Sequence, residues 1–174
     1  TDQLAALLMP LLFAQWIGPV AATTFEALVL VALAFVLLYA MVSVHEMGHI
    51  WCGRRFGIHT PLITLSPLGG LAHMGAPARG PREEILISLA GPATHLLWLA
   101  VFWPLSLLVH NGSVRIPGWH IDPLWFALQL LVQTNLWVLG FNLLPMFPLD
   151  GGRVFRALLS LRLHPNRATL IAAN

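Results

Sequence analysis

Ala27-Leu28-Val29-Leu30-Val31-Ala32-Leu33-Ala34-Phe35-Val36-Leu37-Leu38-Tyr39-Ala40-Met41-Val42-Ser43-Val44-His45-Glu46-Met47-Gly48-His49 is the stretch on which the fold turns. No charge interrupts it from Ala27 to Val44, and its apolar character resumes to about residue 52. A helix needs about 20 mostly apolar residues to cross a ~30 Å hydrocarbon layer, so residues 27–52 are expected to span a membrane. The rest of the chain agrees. Of its 174 residues, 57% are hydrophobic and only 9% are charged, against roughly 25% charged in a soluble domain. Too little charge is available to cover an apolar core in water. An ordinary soluble domain, a nucleic-acid binder and a disordered tail are therefore excluded, and the lipid bilayer is the implied surrounding.

Outward from that stretch, residues 85–109 and 123–144 satisfy the same length criterion. Residues 4–20 form a shorter candidate, broken by Pro10, Gly18 and Pro19. With no repeat or flexible linker, residues 1–174 read as one membrane-embedded domain. The class expected is an all-α polytopic membrane protein of about four transmembrane helices. Residues 60–75 are too short and too polar at their ends to cross. There Leu62, Thr64 and Ser66 alternate with Ile63 and Leu65 as in a strand, and Gly69-Gly70 suits a tight turn. Residues 168–174 are apolar but far too short to span, and read as the start of a fifth crossing.

Every basic residue is Arg. Arg54, Arg55, Arg79 and Arg82 lie between the second and third expected spans, and Arg153, Arg156, Arg162 and Arg167 follow the fourth. Only Arg115 falls between the third and fourth. Basic residues gather on the cytoplasmic side, so the 54–82 loop and the segment after Pro145 are expected to face the cytoplasm of a multi-pass cell-membrane protein. Trp51 near the inner end, and Trp103, Trp119 and Trp125 near the outer, read as interfacial anchors. The lone Cys52 cannot form an internal disulfide and reads as a small helix-end residue.

The chemistry begins inside the second span. His45 and His49 are four apart, so on a helix their imidazoles share a face. Two neutral imidazoles at that spacing can bind Zn²⁺, with Glu46 beside them as a base for the attacking water. Ionisable residues in a membrane helix are costly and are functional candidates by default. A catalytic zinc usually takes three protein ligands. Asp150 is the candidate third, because Asp2 is terminal and Asp122 lies in the outer loop. From Ala27 to His45 the helix rises about 27 Å, which puts both histidines at the cytoplasmic end, where the oppositely directed fourth span delivers Asp150. Pro145 and Pro148 stop regular helix, and Gly151-Gly152 let the backbone turn sharply. Asp150 has another reading, as the cap of a helix over residues 153–163.

Taken in order, His45-Glu46-Met47-Gly48-His49, Pro67-Leu68-Gly69-Gly70, Leu89-Ala90-Gly91-Pro92-Ala93, Phe141-Asn142-Leu143-Leu144-Pro145 and Leu149-Asp150-Gly151-Gly152-Arg153 resemble the motifs of the site-2 protease family of intramembrane zinc metalloproteases. The resemblance covers roughly residues 27–163. It implies one zinc per chain held by His45, His49 and Asp150, Glu46 as general base, and Asn142 positioning the substrate backbone or stabilising the oxyanion. It also implies that the 60–75 segment is a re-entrant hairpin near the zinc, and that the substrate is a transmembrane segment of another membrane protein. A transmembrane helix hides its peptide bonds and must unwind before hydrolysis, and a hairpin edge can take up the unwound strand.

The chain departs from the family at His95, where an Asn is usual, and lacks a segment long enough for the PDZ domain of many relatives. On the residues alone, His95 reads as an inter-helix hydrogen-bond partner, as do Asn135 and Asn142 in the alternative to a functional role. His73 reads as a loop residue beside the turn. Two other functions fit the same composition. One is a metal-binding transporter or inactive relative, which needs polar ligands strung along a pathway rather than gathered at one end of two spans. The other is a scaffold without metal.

Overall fold

The computed structural model describes residues 23–58, 62–66, 69–73, 78–110 and 112–173; the candidate span at 4–20 lies outside them. Three of its helices are long and apolar enough to cross a membrane: α1 (Thr24–Arg55), α2 (Pro81–Leu108) and α3 (Pro123–Asn142). Between α1 and α2, strands β1 (Leu62–Ser66) and β2 (Gly69–His73) pair antiparallel, and β2 lies against α1. Two short helices follow α3, namely α4 (Asp150–Ser160) and α5 (Pro165–Ala173).

Local chemistry sets the helix ends. The Thr23 hydroxyl caps α1 by accepting the Glu26 N–H at 3.1 Å, while Arg54 and Arg55 occupy its last turn. A chain reversal follows at Gly57, whose φ of 73° is the left-handed conformation that glycine adopts without strain. Pro81 opens α2 at a first-turn position where no N–H is needed. Asp122 caps α3, taking the N–H groups of Leu124 and Trp125.

The α1 helix is apolar nearly all round, as a membrane helix is, yet it buries one stripe: Leu30, Ala34, Leu38, Met41, His45, His49 and Gly53. The upper part of that stripe meets Phe126, Leu131 and Ile121, with Trp98, Phe102, Trp119 and Trp125 packed around them. Large apolar side chains outside the stripe, among them Leu28, Val36, Leu97 and Leu107, are exposed, as lipid-facing residues would be. Lower down, a Cβ on Gly48 would lie 2.5 Å from the Ala90 carbonyl oxygen, so α1 and α2 touch backbone to backbone there. The antiparallel α2 thereby sets Gly91 beside His49 and His95 beside His45.

Three local expectations are corrected. Gly69 and Gly70 do not form the turn; they are the first two residues of β2, paired with Ser66 and Leu65. Gly151 and Gly152 do not reverse the backbone either. They sit in the first turn of α4 with negative φ, and a Cβ on them would lie 2.4 Å from the Leu143 and Leu144 carbonyls and 2.5 Å from that of Met146. Their service is close approach, letting the start of α4 press against the segment that follows α3. The helix expected at 153–163 starts three residues earlier, with Asp150 inside its first turn; the cap position is Leu149 and has no side-chain cap bond.

Candidate metal centre

His45 and His49 come from successive turns of α1, and Asp150 from the start of α4, 105 residues from His45. All three are at least nine-tenths buried, as is Glu46. Three atoms converge. His45 Nε2 lies 3.0 Å from His49 Nε2 and 3.0 Å from Asp150 Oδ2, and His49 Nε2 lies 3.2 Å from that same oxygen.

The remaining ring nitrogens are fixed from behind. His49 Nδ1–H donates to the Ile87 carbonyl at 2.7 Å. A carbonyl only accepts, so in the neutral ring the proton is on Nδ1 and the Nε2 lone pair points into the cluster. His45 Nδ1 meets His95 Nε2 at 3.0 Å, and His95 Nδ1 meets Asn135 Oδ1 at 2.7 Å.

The donor set fits a divalent ion. Ligand atoms ~2.0–2.1 Å from a tetrahedral zinc stand about 3.3 Å apart, and these stand 3.0–3.2 Å apart. Lone pairs from two imidazoles and a carboxylate crowded this closely repel one another, and a cation among them converts the repulsion into coordination. Three protein ligands leave a fourth position for water or substrate.

Gly91 makes the room. A Cβ there would sit 2.3 Å from His49 Nε2 and 2.7 Å from His45 Nε2, so the α2 backbone forms one wall of the centre. Glu84 of α2 pairs with Arg156 of α4 and ties the two helices together. Spacing along α1 anticipates the two histidines. Nothing in the sequence marks Gly91 as the residue over which both rings close, and the His95–Asn135 contact crosses from α2 to α3. One available signal was that an ionisable His95 in a membrane helix is costly without a purpose.

Asn142 stands apart from these contacts. Its amide nitrogen donates to the Val138 carbonyl at 2.9 Å, one turn back along its own helix. The backbone of His73 ends β2 opposite Leu62. His120 lies on the other side of the molecule, with Nδ1 3.7 Å from the Glu26 carboxylate.

Comparison with known proteins points the same way. The model of peptidase family M50 matches residues 33–121. A zinc metalloprotease of Methanocaldococcus jannaschii is 38% identical over 144 residues, covering 82% of this chain and 39% of its own. The stage IV sporulation protein FB of Bacillus subtilis is 30% identical over 131 residues, covering 75% of this chain and 41% of its own. The chain thus spans well under half the length of these curated relatives. Among solved structures, a site-2 protease from Methanocaldococcus jannaschii superposes with a TM-score of 0.63 at 28% identity, over 98% of this chain and 70% of that one.

Proposed function

The chain belongs to peptidase family M50, and from that premise we propose that it carries the active site of an intramembrane zinc metalloprotease, which hydrolyses peptide bonds within or near transmembrane segments of other membrane proteins. The observation that carries this reading is the convergence of His45, His49 and Asp150 from two distant segments onto one point. His45, His49 and Asp150 would hold the zinc ion, which would supply Lewis-acid chemistry and a water activated near neutral pH.

The chain's own groups do the rest. Glu46, buried beside His45, accepts the attacking water's proton and returns it to the leaving amine. The Ile87 carbonyl holds His49 in the tautomer whose Nε2 is free to ligate. Asn142, at the last turn of α3, releases the Val138 carbonyl and turns its amide to the substrate backbone. Strands β1 and β2 dip into the membrane beside α1, where one edge pairs with the unwound substrate; backbone at that depth is tolerated when it lines a protein cavity. The arginine distribution supports a centre that lies towards the cytoplasmic face of the cell membrane.

The test is Glu46→Gln in detergent-purified protein given a membrane-protein substrate. One zinc per chain should remain while cleavage disappears. Continued cleavage by Glu46→Gln would remove Glu46 from the mechanism, and a parent protein without stoichiometric zinc would remove the metalloprotease reading itself.

A further inference from the structure

We propose that His95 and Asn135 form a positioning relay that locks His45 in its metal-ligating tautomer, joining α1, α2 and α3 in one hydrogen-bond chain that ends at the metal. The inference rests on the metal centre proposed above and goes beyond it to residues that touch neither metal nor substrate.

The direction of every proton in the relay follows from groups that can act in only one sense. Asn135 Nδ2–H donates to the Leu131 carbonyl at 2.7 Å, and the same nitrogen faces the Met41 sulfur. A carbonyl cannot donate, so the amide nitrogen belongs on that side and Oδ1 is turned towards His95. Oδ1 in turn only accepts. His95 therefore carries its proton on Nδ1, 2.7 Å from that oxygen, and presents a bare lone pair at Nε2. That lone pair lies 3.0 Å from His45 Nδ1, which donates to it. His45 is left with its free lone pair on Nε2, the atom 3.0 Å from both His49 Nε2 and Asp150 Oδ2. Reversing any link sets two lone pairs or two protons against each other, in a site where no water can compensate. His95 is 0% exposed and Asn135 1%.

The two ligating histidines are thus oriented by different means. His49 uses a main-chain carbonyl, which no substitution removes, while His45 uses a side-chain chain that two substitutions can cut. Partners behind a metal-ligating histidine typically matter by roughly 10–100-fold in metal affinity.

The experiment measures zinc affinity by chelator competition, and the visible absorption of Co²⁺ in place of zinc, at one fixed pH. His95→Leu should weaken zinc binding by roughly 10–100-fold and alter the Co²⁺ spectrum. His95→Gln, whose side-chain carbonyl can still accept from His45 Nδ1, should recover most of both. Equal zinc affinity in His95→Leu and the parent would overturn the relay. So would equal weakening by Leu and Gln, which would make His95 a packing residue only. Where His95→Leu does not fold, Asn135→Leu takes its place against His95→Gln: the first must lose zinc affinity and the second keep it, and parity overturns the proposal. A parent that binds no zinc removes the proposed function along with the relay, whereas a zinc-binding parent with unaffected variants overturns the relay alone.

Discussion

The two ends of the α1–α2–α3 bundle are built from the same helices and held by opposite means. At the end near Leu30 the stripe of α1 meets Phe126, Leu131 and a ring of tryptophans. The polar groups there, Glu26 and Asp122, accept main-chain N–H groups: Glu26 from His120 and Ile121, and Asp122 from Val114, Leu124 and Trp125. At the other end the same stripe carries His45 and His49, the helices approach through Gly48 and Gly91, and polar side chains face one another. Carboxylates that take up main-chain N–H groups finish a fold. Imidazoles and a carboxylate whose lone pairs share one focus leave a demand that the fold does not meet by itself. In lipid there is no hydrophobic driving force between helices, so the close Gly48–Ala90 approach and the hydrogen bonds across α1, α2 and α3 add to what holds the bundle at the polar end.

The largest effect expected from this contrast is at Gly91. In Gly91→Val the new side chain occupies the space of both imidazoles, so zinc binding should fall by more than the roughly 10–100-fold that follows loss of a supporting hydrogen bond. Thermal unfolding should still show a folded bundle, because the Leu30 end is untouched. Gly140→Ala is the control: nothing lies within 4 Å of a Cβ there, and its zinc content should match the parent. Full zinc content in Gly91→Val would mean that the centre is not walled by the α2 backbone.

The converse substitution belongs at the other end. Leu30 is wholly buried in the apolar cluster, and Leu30→Ala should cost about 2–5 kcal/mol of stability in denaturant unfolding. Zinc affinity of the folded protein should stay at the parent value, since sites this far apart act independently. A fall in zinc affinity comparable to that of His95→Leu would break the division of labour between the two ends.

Which parts of this arrangement the sequence discloses follows from which constraints are local. Bilayer thickness acts on consecutive residues, so α1, α2 and α3 can be read from apolar length to within a few residues. The period of the helix acts over one turn, so His45 and His49 declare themselves as a pair. Asp150 is reached by elimination, and Gly151-Gly152 show why the reasoning then falters. Two glycines after two prolines have the composition of a turn, but their need is set by the Leu143, Leu144 and Met146 carbonyls packed against them, a tertiary fact with no local trace. Gly91 is hidden for the same reason. His95 was visible as an anomaly, yet its role depends on Asn135 and Leu131 of another helix holding one amide in one orientation. Asn142 marks the limit from the other side: its place in a motif suggests chemistry, while its contact is with its own helix.

The smallest expected effect tests the claim that carboxylates at the Leu30 end serve the fold alone. Burial by itself pushes the Asp122 carboxyl up, but the N–H groups of Val114, Trp125, Leu124 and Ser113 outweigh this and hold it below the usual carboxylate range. A group with a lower pKa folded than unfolded binds its proton more readily in the unfolded chain. Its stabilisation is therefore present above the unfolded value, near ~4, and is lost as pH falls through the folded value. Asp122→Asn should lower the thermal unfolding temperature at neutral pH, because the cap of α3 loses its charge. The gap from the parent should close as the pH is taken below the carboxylate range, where the parent's own cap is protonated. Zinc affinity at neutral pH should not respond at all. A change in zinc affinity with an unchanged unfolding temperature would place Asp122 with the proposed metal centre and erase the distinction between carboxylates that close a helix and Asp150, the proposed ligand.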